Sequence, residues 1–535
     1  MFTFICLIVS MIVSYFAVYF IALPPINPTS LGFWISILVS MVIALVFTAL
    51  VTAIREKKRG QENLKEERVV NIFFALGCLI ILIMIIGGII STKIFHVNTY
   101  RSQISVENVE FADVIPESAS VSDIAIMDTE TAEIIGKRAM GSLTELVSQY
   151  EVGENYSTIS LNNRPMKVSC LEYGGLIKYL NNSSTGVPGY IQVDPVKNTA
   201  EFVKTDKPIQ YVESAIFSKD LYRHIRSKYL SEIIYDMYFE IDDSGNPYWI
   251  CPVVKHMAWP FGAEEITDVI IVNACDGSME KVTVANVPQW VDRVYDGDLL
   301  CDYYDSYGTL QSGFWNSVFG NRGCTVTTDD YGYKIIDDDV WLYTGVTSVA
   351  SDESNLGFLL INERTREAKY FLCAGAEEYS AMSAAEGMVQ DLGYTAAFPS
   401  IINIAGQPTY ICCLKDGSGL VKMYALVNVT QYNLVGTGQT PTDALKSYQQ
   451  ILQANGLKSN TASDNLTETS ITVESIEFIA VSGDTTVYIK STDGKCFKMA
   501  FADNEELILI GEGDKLTVTH ENTDKPIIDI VSFVR

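Results

Sequence analysis

Three runs of about twenty residues, Phe2 to Leu23, Phe33 to Ile54 and Asn71 to Ile90, contain no charged side chain. Each is long enough to cross a bilayer as a helix, because about twenty residues rising about 1.5 Å apiece cover the hydrocarbon core. A cleaved leader is the alternative for the first run. It lacks a basic segment and a small-x-small cleavage site, and a second run follows at once. The connection between runs two and three carries Arg55, Lys57, Lys58, Arg59, Lys65 and Arg68, whereas that between runs one and two, with Pro24, Pro25 and Pro28, is uncharged. Basic loops stay in the cytoplasm. The expectation is a plasma-membrane protein with a cytoplasmic N-terminus, an outer Pro-containing loop, and a large extracytoplasmic part after Ile90. The spans contain no Asp, Glu, Lys, Arg or His to mark an ion path, which weighs against a channel or transporter. Gly87-Gly88 permits close contact at the end of the third.

The chain carries a formal charge of −27, and its first ninety-one residues balance to +2, so the remainder carries −29. So acidic a surface repels polyanions, which excludes nucleic acid as a partner. The partners expected are the lipid bilayer and a protein or peptide at the outer face. Eleven cysteines include nine beyond the spans, several inside apolar strand-like runs where Cys acts as a small hydrophobe, and none forms a C-x-x-C pair.

Beyond the spans, 93–118 is polar and reads as a stalk or first strand. A short element then recurs: an apolar run, Asp or Asn, a polar turn, a second run. It is seen at Ile124 to Asp128 leading to Ala132-Glu133-Ile134, at Tyr190 to Asp194, at Val269 to Asn273 and at Leu359 to Asn362. Asx residues bond their own turn backbone, so each predicts a β-hairpin. A longer echo relates Gly245-Asn246-Pro247-Tyr248-Trp249-Ile250-Cys251 to Gly406-Gln407-Pro408-Thr409-Tyr410-Ile411-Cys412, with Val272-Asn273 and Val427-Asn428 following. Helices are predicted ahead of both copies, one from Phe217, Leu221 and Ile225 at four-residue spacing, the other from a capping box at Ser383 and Glu386 with Gly393 as its stop.

Helix, hairpin and strand in that order, with the Gly-x-Pro-x-aromatic turn, resemble the PepSY-type module of bacterial envelope proteins. The resemblance implies tandem α+β units, each with a helix on a curved antiparallel sheet, and a binding or regulatory role at the cell surface. It carries over no catalytic residue. After a polar linker rich in Ser, Thr and Asn, strands at Ile471-Thr472-Val473, Val487-Tyr488-Ile489, Phe497-Lys498-Met499, Leu507-Ile508-Leu509 and Leu516-Thr517-Val518 predict a small all-β barrel of OB or SH3-like kind. The domains drawn are a three-helix transmembrane anchor (1–91), a membrane-proximal α+β module (92–210), a first PepSY-like module with an acidic and aromatic insertion (211–345), a second (346–455), the linker (456–470) and the barrel (471–535).

No nucleophile elbow, H-E-x-x-H helix or Walker loop is present, and the four His residues are scattered, so no catalytic residue is assigned. Asp298, Asp302 and Asp305 share a face if their stretch is helical, which makes them candidate Ca²⁺ ligands; the strict Ca-loop pattern is missing, which favours a solvated acidic face. Trp249, Trp259, Trp290 and Trp315 are candidate partner-binding anchors, with core packing as the alternative. Arg223, His224, Arg226 and Lys228 form a basic run expected on a solvated helix face, or against lipid headgroups. The expected function is a non-catalytic, membrane-anchored envelope scaffold or regulator. The alternative is an envelope hydrolase or transferase with a dispersed site between Trp290 and Asp339.

Overall fold

The computed structural model describes residues 2–59, 64–118, 121, 124–349, 354–457, 466–481, 484–501, 505–521 and 527–534. Helices Phe2–Ala22, Leu31–Arg59 and Leu64–Ile90 are long and apolar enough to cross a membrane. The turn of the basic connection, 60–63, lies outside the described residues. The first two helices meet through small side chains, with Ser10, Ser14, Ser40 and Ala44 buried, as expected where lipid tails offer no hydrophobic drive and close packing must supply the attraction.

The chain divides into two compact units: 1–116 with 120–402 and 408–448, and 449–535 with 117–119 and 403–407. The first holds four sheets of one topology. In each, a lead helix is followed by two short strands that pair with the same edge of a long third strand, and the third, fourth and fifth strands form a meander. The first sheet has lead helix Thr129–Gly141 and strands Tyr150–Val152, Ser157–Ser160, Pro165–Tyr173, Val187–Asp194 and Thr199–Ile209. In the second the helix is Leu221–Lys228, and the strands are Ile233–Ile234, Tyr238–Ile241, Pro247–Ala258, Gly262–Asn273 and Met279–Thr283. The third uses Gly297–Leu310, then Thr325–Thr327, Gly332–Ile336, Asp339–Ser348, Ser354–Asn362 and Ala368–Ala376. In the fourth, Glu378–Met388 precedes Thr395–Ala396, Ser400–Ile404, Gln407–Lys415, Val421–Asn428 and Val435–Gly438. Two short strands sharing one edge curl each sheet into a half-barrel. Of the stalk, Val106–Asn108 is a strand, parallel to Ala368–Ala376 on the edge of the third sheet.

An Asx residue ends the fourth strand of every sheet and caps the turn that follows. Asp194 accepts from the amides of Val196 and Lys197, Asn273 from Cys275 and Asp276, Asn362 from Arg364 and Thr365, and Asn428 from Thr430 and Gln431. Gly245 and Gly406 lie at equivalent points before the third strand and both have positive φ, 80° and 72°, which only glycine adopts without strain. The stretch at Asp128 departs from the expected hairpin. Its carboxylate accepts from the Thr131 amide and caps a helix that contains Ala132 to Ile134. The fourth lead helix likewise starts earlier than the Ser383 box predicts, capped by Glu377 onto the Ser380 amide, while Glu386 reaches the amide of Ala396. The acidic and aromatic insertion supplies the lead helix and first two strands of the third sheet.

Neighbouring sheets pack face to face. Along Pro247–Ala258, Trp249, Cys251 and Val253 point into the core shared with the first sheet, and Ile250 and Val254 into the core shared with the third. Along Ser354–Asn362, Leu359 and Ile361 face the second sheet while Phe358 and Leu360 face the fourth. Burial on both faces is why these strands read as continuous apolar runs and not as alternations. The fourth sheet returns to the first: Lys415 Nζ lies 2.6 Å from Asp128 and 2.9 Å from Glu130, and Asn198 donates to the Tyr424 hydroxyl at 3.1 Å. The four sheets therefore close into a ring.

The second unit contains a closed five-strand barrel of Leu466–Val481, Asp484–Ser491, Cys496–Ala500, Ile527–Val534 and Lys515–Glu521, in that order around it. Its core includes Ile471, Val473, Val487, Ile489, Phe497 and Val518. The expected strand at Leu507 is a 3-10 turn, Glu505–Leu509, whose fully buried Leu507 plugs the interior. Of the expected linker, 458–465 lies outside the described residues, and 466–470 belongs to the first barrel strand.

The ring rests on the spans. Ile26 N donates to Leu230 O at 2.8 Å and Asn27 Nδ2 to Ser231 O at 3.1 Å, joining the connection between helices one and two to the turn that follows the second lead helix. At the third span, Phe261 N donates to Ser91 Oγ at 3.0 Å, and a Cβ at Gly87 would stand 2.8 Å from the Phe261 ring and 2.9 Å from Pro260. Gly87 thus admits the tip of a β-hairpin.

Candidate functional site

Buried charge converges where the second strands of successive sheets meet. Glu240, fully buried on the second sheet, accepts from the amides of Asp292 and Arg293 at 3.0 and 2.8 Å. Asp292, also buried, accepts from the Ser160 amide of the first sheet at 2.7 Å, and its other oxygen has no partner. The Arg293 guanidinium lies 4.2 Å from the Tyr238 ring centre and pairs with Asp296. Glu363, in the turn ending the third sheet's fourth strand, is buried with Oε1 unpartnered. Beside it Arg364 grips Asp339 with two nitrogens, at 2.8 and 2.7 Å. Asp338 accepts from the Ser160 hydroxyl and the Asn163 amide, both at 2.7 Å. Lys167, on the first sheet, donates to Thr129 and Thr158 at 3.1 and 3.0 Å.

The electrostatics follow from desolvation. Burial pushes Glu363 up to about 8 against the pull of Arg293. Glu240 is raised by burial, against its two amide bonds, and Asp292 is raised by burial and by Glu240 beside it. Lys167 is lowered by burial to about 8. The raised proton affinity of Glu363 favours its protonated form near neutral pH, in which it can donate as well as accept. The chemistry of this axis is that of a polar joint: Asp292 and Asp338 accept from Ser160 and Asn163 of the first sheet and Glu240 from the amides of Asp292 and Arg293, while Arg364 with Asp339 and Lys167 with Thr129 and Thr158 pair within their own sheets.

The candidate residues disperse. Asp298, Asp302 and Asp305 do lie on the helix Gly297–Leu310, but Asp305 accepts from both the amide and hydroxyl of Thr327, at 2.8 and 3.1 Å, and Asp298 from the Tyr331 hydroxyl at 3.0 Å. Among the described residues, no group of three His, Cys, Asp or Glu is arranged to hold a metal ion. Trp249 is core, its Nε1 donating to Tyr211 O at 2.9 Å. Trp290 is half-buried against Tyr248, with ring centres 4.8 Å apart. Trp259 and Trp315 are exposed, at 69% and 63%.

The basic run departs from a solvated face. Arg226 is 1% exposed and donates to the carbonyls of Tyr229, Leu230 and Glu232 and to the Tyr222 hydroxyl. His224 bonds Gly277 O at 2.7 Å, Lys228 donates to Met279 O at 2.8 Å, and Arg223 lies 4.6 Å from the ring centre of Phe20 at the end of the first span. All eleven cysteines are free, and six are buried.

Sequence reasoning missed Glu240, Asp292, Glu363 and Lys167 as a cluster. The available signal was a charge set inside an apolar run, as in Phe239-Glu240-Ile241 and Met166-Lys167-Val168.

No family model matches the sequence, and no curated protein does. Among solved structures, the chain is similar to exo-β-1,3-galactanase from Phanerochaete chrysosporium at a TM-score of 0.17 and 10% identity over 64% of this chain. It spans 60% of that galactanase chain. Levansucrases from B. megaterium and Bacillus subtilis align at TM-scores of 0.18 and 0.17 with 9% and 8% identity, over 81% and 78% of this chain and 96% and 97% of theirs.

Proposed function

We propose that this chain is a non-catalytic, membrane-anchored scaffold or regulator of a bacterial cell envelope, whose extracytoplasmic ring of sheets binds a protein or peptide. One observation carries it: between Trp290 and Asp339 the carboxylates of Asp292 and Asp338 accept from the backbone of the first sheet and Asp339 is gripped by Arg364 of its own sheet, so these groups are engaged in holding the fold. The repeated pairing of a lead helix with a curved antiparallel sheet is consistent with PepSY-like modules, and the six basic residues between spans two and three favour the ring lying outside.

The test is cross-linking of the full chain in intact envelopes. The same partner should be recovered in independent preparations, and Glu240→Gln and Glu363→Gln should leave that recovery intact. Failure of a correctly folded chain to yield any reproducible partner would overturn the proposal.

The second reading, an envelope hydrolase or transferase, draws on the same cluster, since three carboxyl groups with raised proton affinity are the kind of groups that serve acid and base chemistry. Under that reading Glu240→Gln or Glu363→Gln abolishes turnover in a chain that still folds.

A further inference from the structure

The hairpin between Pro247–Ala258 and Gly262–Asn273 reaches down beside the third span. Pro260 and Phe261 touch Gly87, three residues before the span ends at Ile90. That is about 4.5 Å below its end at the rise of an α-helix. The tip therefore lies at the depth of the boundary between acyl chains and headgroups, and it presents Trp259 and Met257, 69% and 56% exposed.

A second apolar cluster stands on the same ledge. The short helix Val97–Arg101 follows the third span and is folded back on it, with the Tyr100 hydroxyl donating to Ser91 O at 2.8 Å. Arg101 reaches Gln311 O at 3.4 Å, at the end of the third lead helix. The turn that follows carries Trp315 stacked on Phe319, with ring centres 5.8 Å apart and planes 10° apart. Phe319 is 78% exposed. In water, side chains this large are unfavourable relative to burial. Trp in particular favours the membrane interface, where its ring meets acyl chains and its N–H meets water.

We infer that Trp259 with Met257, and Trp315 with Phe319, insert into the lipid headgroup boundary and seat the ring on the membrane surface as two feet beside the third span. The inference rests on the three helices crossing a bilayer, and it adds a lipid-binding face to the ectodomain whatever partner the ring binds.

The test uses the full chain reconstituted into phosphatidylcholine nanodiscs, with and without acyl chains brominated near the headgroup. Bromine quenches tryptophan emission only on contact, and Trp34, at the start of the second span, supplies a constant background. Trp259→Phe and Trp315→Phe should each lose a share of the bromolipid quenching and leave quenching by aqueous iodide unchanged. Bromolipid quenching equal to wild type in both variants, with iodide quenching reduced, would place both rings in water and overturn the inference. The substitutions are at exposed positions, and circular dichroism checks that each variant remains folded. Failure to find a protein partner would count against the scaffold proposal and leave this result unchanged.

Discussion

At the scale of single residues, the ring is unusual in holding its charges inside. A carboxyl group with a raised folded pKa stabilises the fold fully below its unfolded value, and that contribution is lost as pH rises through the folded value. For Glu363 the loss runs from about 4.5 to about 8, and Glu378, raised by burial to about 7, adds to it. Lys167 and Lys334, both lowered by burial to about 8, act in the opposite sense: their contribution is full above about 10.5 and is lost as pH falls toward 8. The melting temperature of the full chain in detergent should therefore pass through a minimum near pH 8 and rise on either side. Glu363→Gln removes one cause, so at pH 9 it should melt above wild type, an effect of at most about 5 kcal/mol, and at pH 5 it should lie close to it. A profile that rises steadily from pH 5 to pH 9 would contradict the assignment. Arg226 is a different case, since no carboxylate faces it. Replacing it by Leu strands the carbonyls of Tyr229 and Glu232, each worth about 1–3 kcal/mol when left without a partner, while Leu230 O keeps the Ile26 amide. The melting temperature should fall at every pH.

At the scale of elements, the contact between Gly87 and the hairpin at Trp259-Pro260-Phe261 is steric before it is anything else. A Leu at Gly87 would occupy the space of the Phe261 ring, an overpacking expected to cost about 1–3 kcal/mol. Hydrogen exchange should accelerate at the amides of Phe261 and Gly262 while those deep in Gly262–Asn273 keep their protection. How far such elements can be read from sequence varies with their range. The three spans are legible because twenty uncharged residues have few alternatives, and the caps at Asp194, Asn273 and Asn362 because an Asx turn is local chemistry. The same chemistry misleads at Asp128, where a carboxylate bonding an amide three residues ahead starts a helix as readily as a turn. The third lead helix is obscured for another reason: its outward face is acidic at Asp298 and Asp302, Asp305 turns onto Thr327, and its inward face mixes Tyr303 and Tyr304 with Leu299, Leu300 and Leu310. The polar axis joins residues 132 and 52 positions apart, Asp292 with Ser160 and with Glu240, and no local pattern encodes those pairings.

At the scale of the whole molecule, the first unit constrains its own topology independently of charge. Ile26 and Asn27, between spans one and two, bond to Leu230 and Ser231 of the ring, and the end of span three bonds to Phe261. The connection between the first two spans and the four sheets must therefore occupy one side of the bilayer. The N-terminal end of the first helix and the basic connection between spans two and three occupy the other. The contacts fix which parts travel together, and the positive-inside bias predicts the side. The two rules can be separated experimentally. Replacing Arg55, Lys57, Lys58, Arg59, Lys65 and Arg68, together with Glu56, Glu62, Glu66 and Glu67, by Gln leaves that connection uncharged without touching the docking contacts. In intact cells, externally added protease should cleave the wild-type ring while an epitope at the N-terminal end of the first helix stays protected. In the neutral variant two populations are expected, inverted as whole units. A population with the ring and the connection between spans one and two on opposite sides would mean that docking at Ile26 and Ser91 does not govern how the chain inserts.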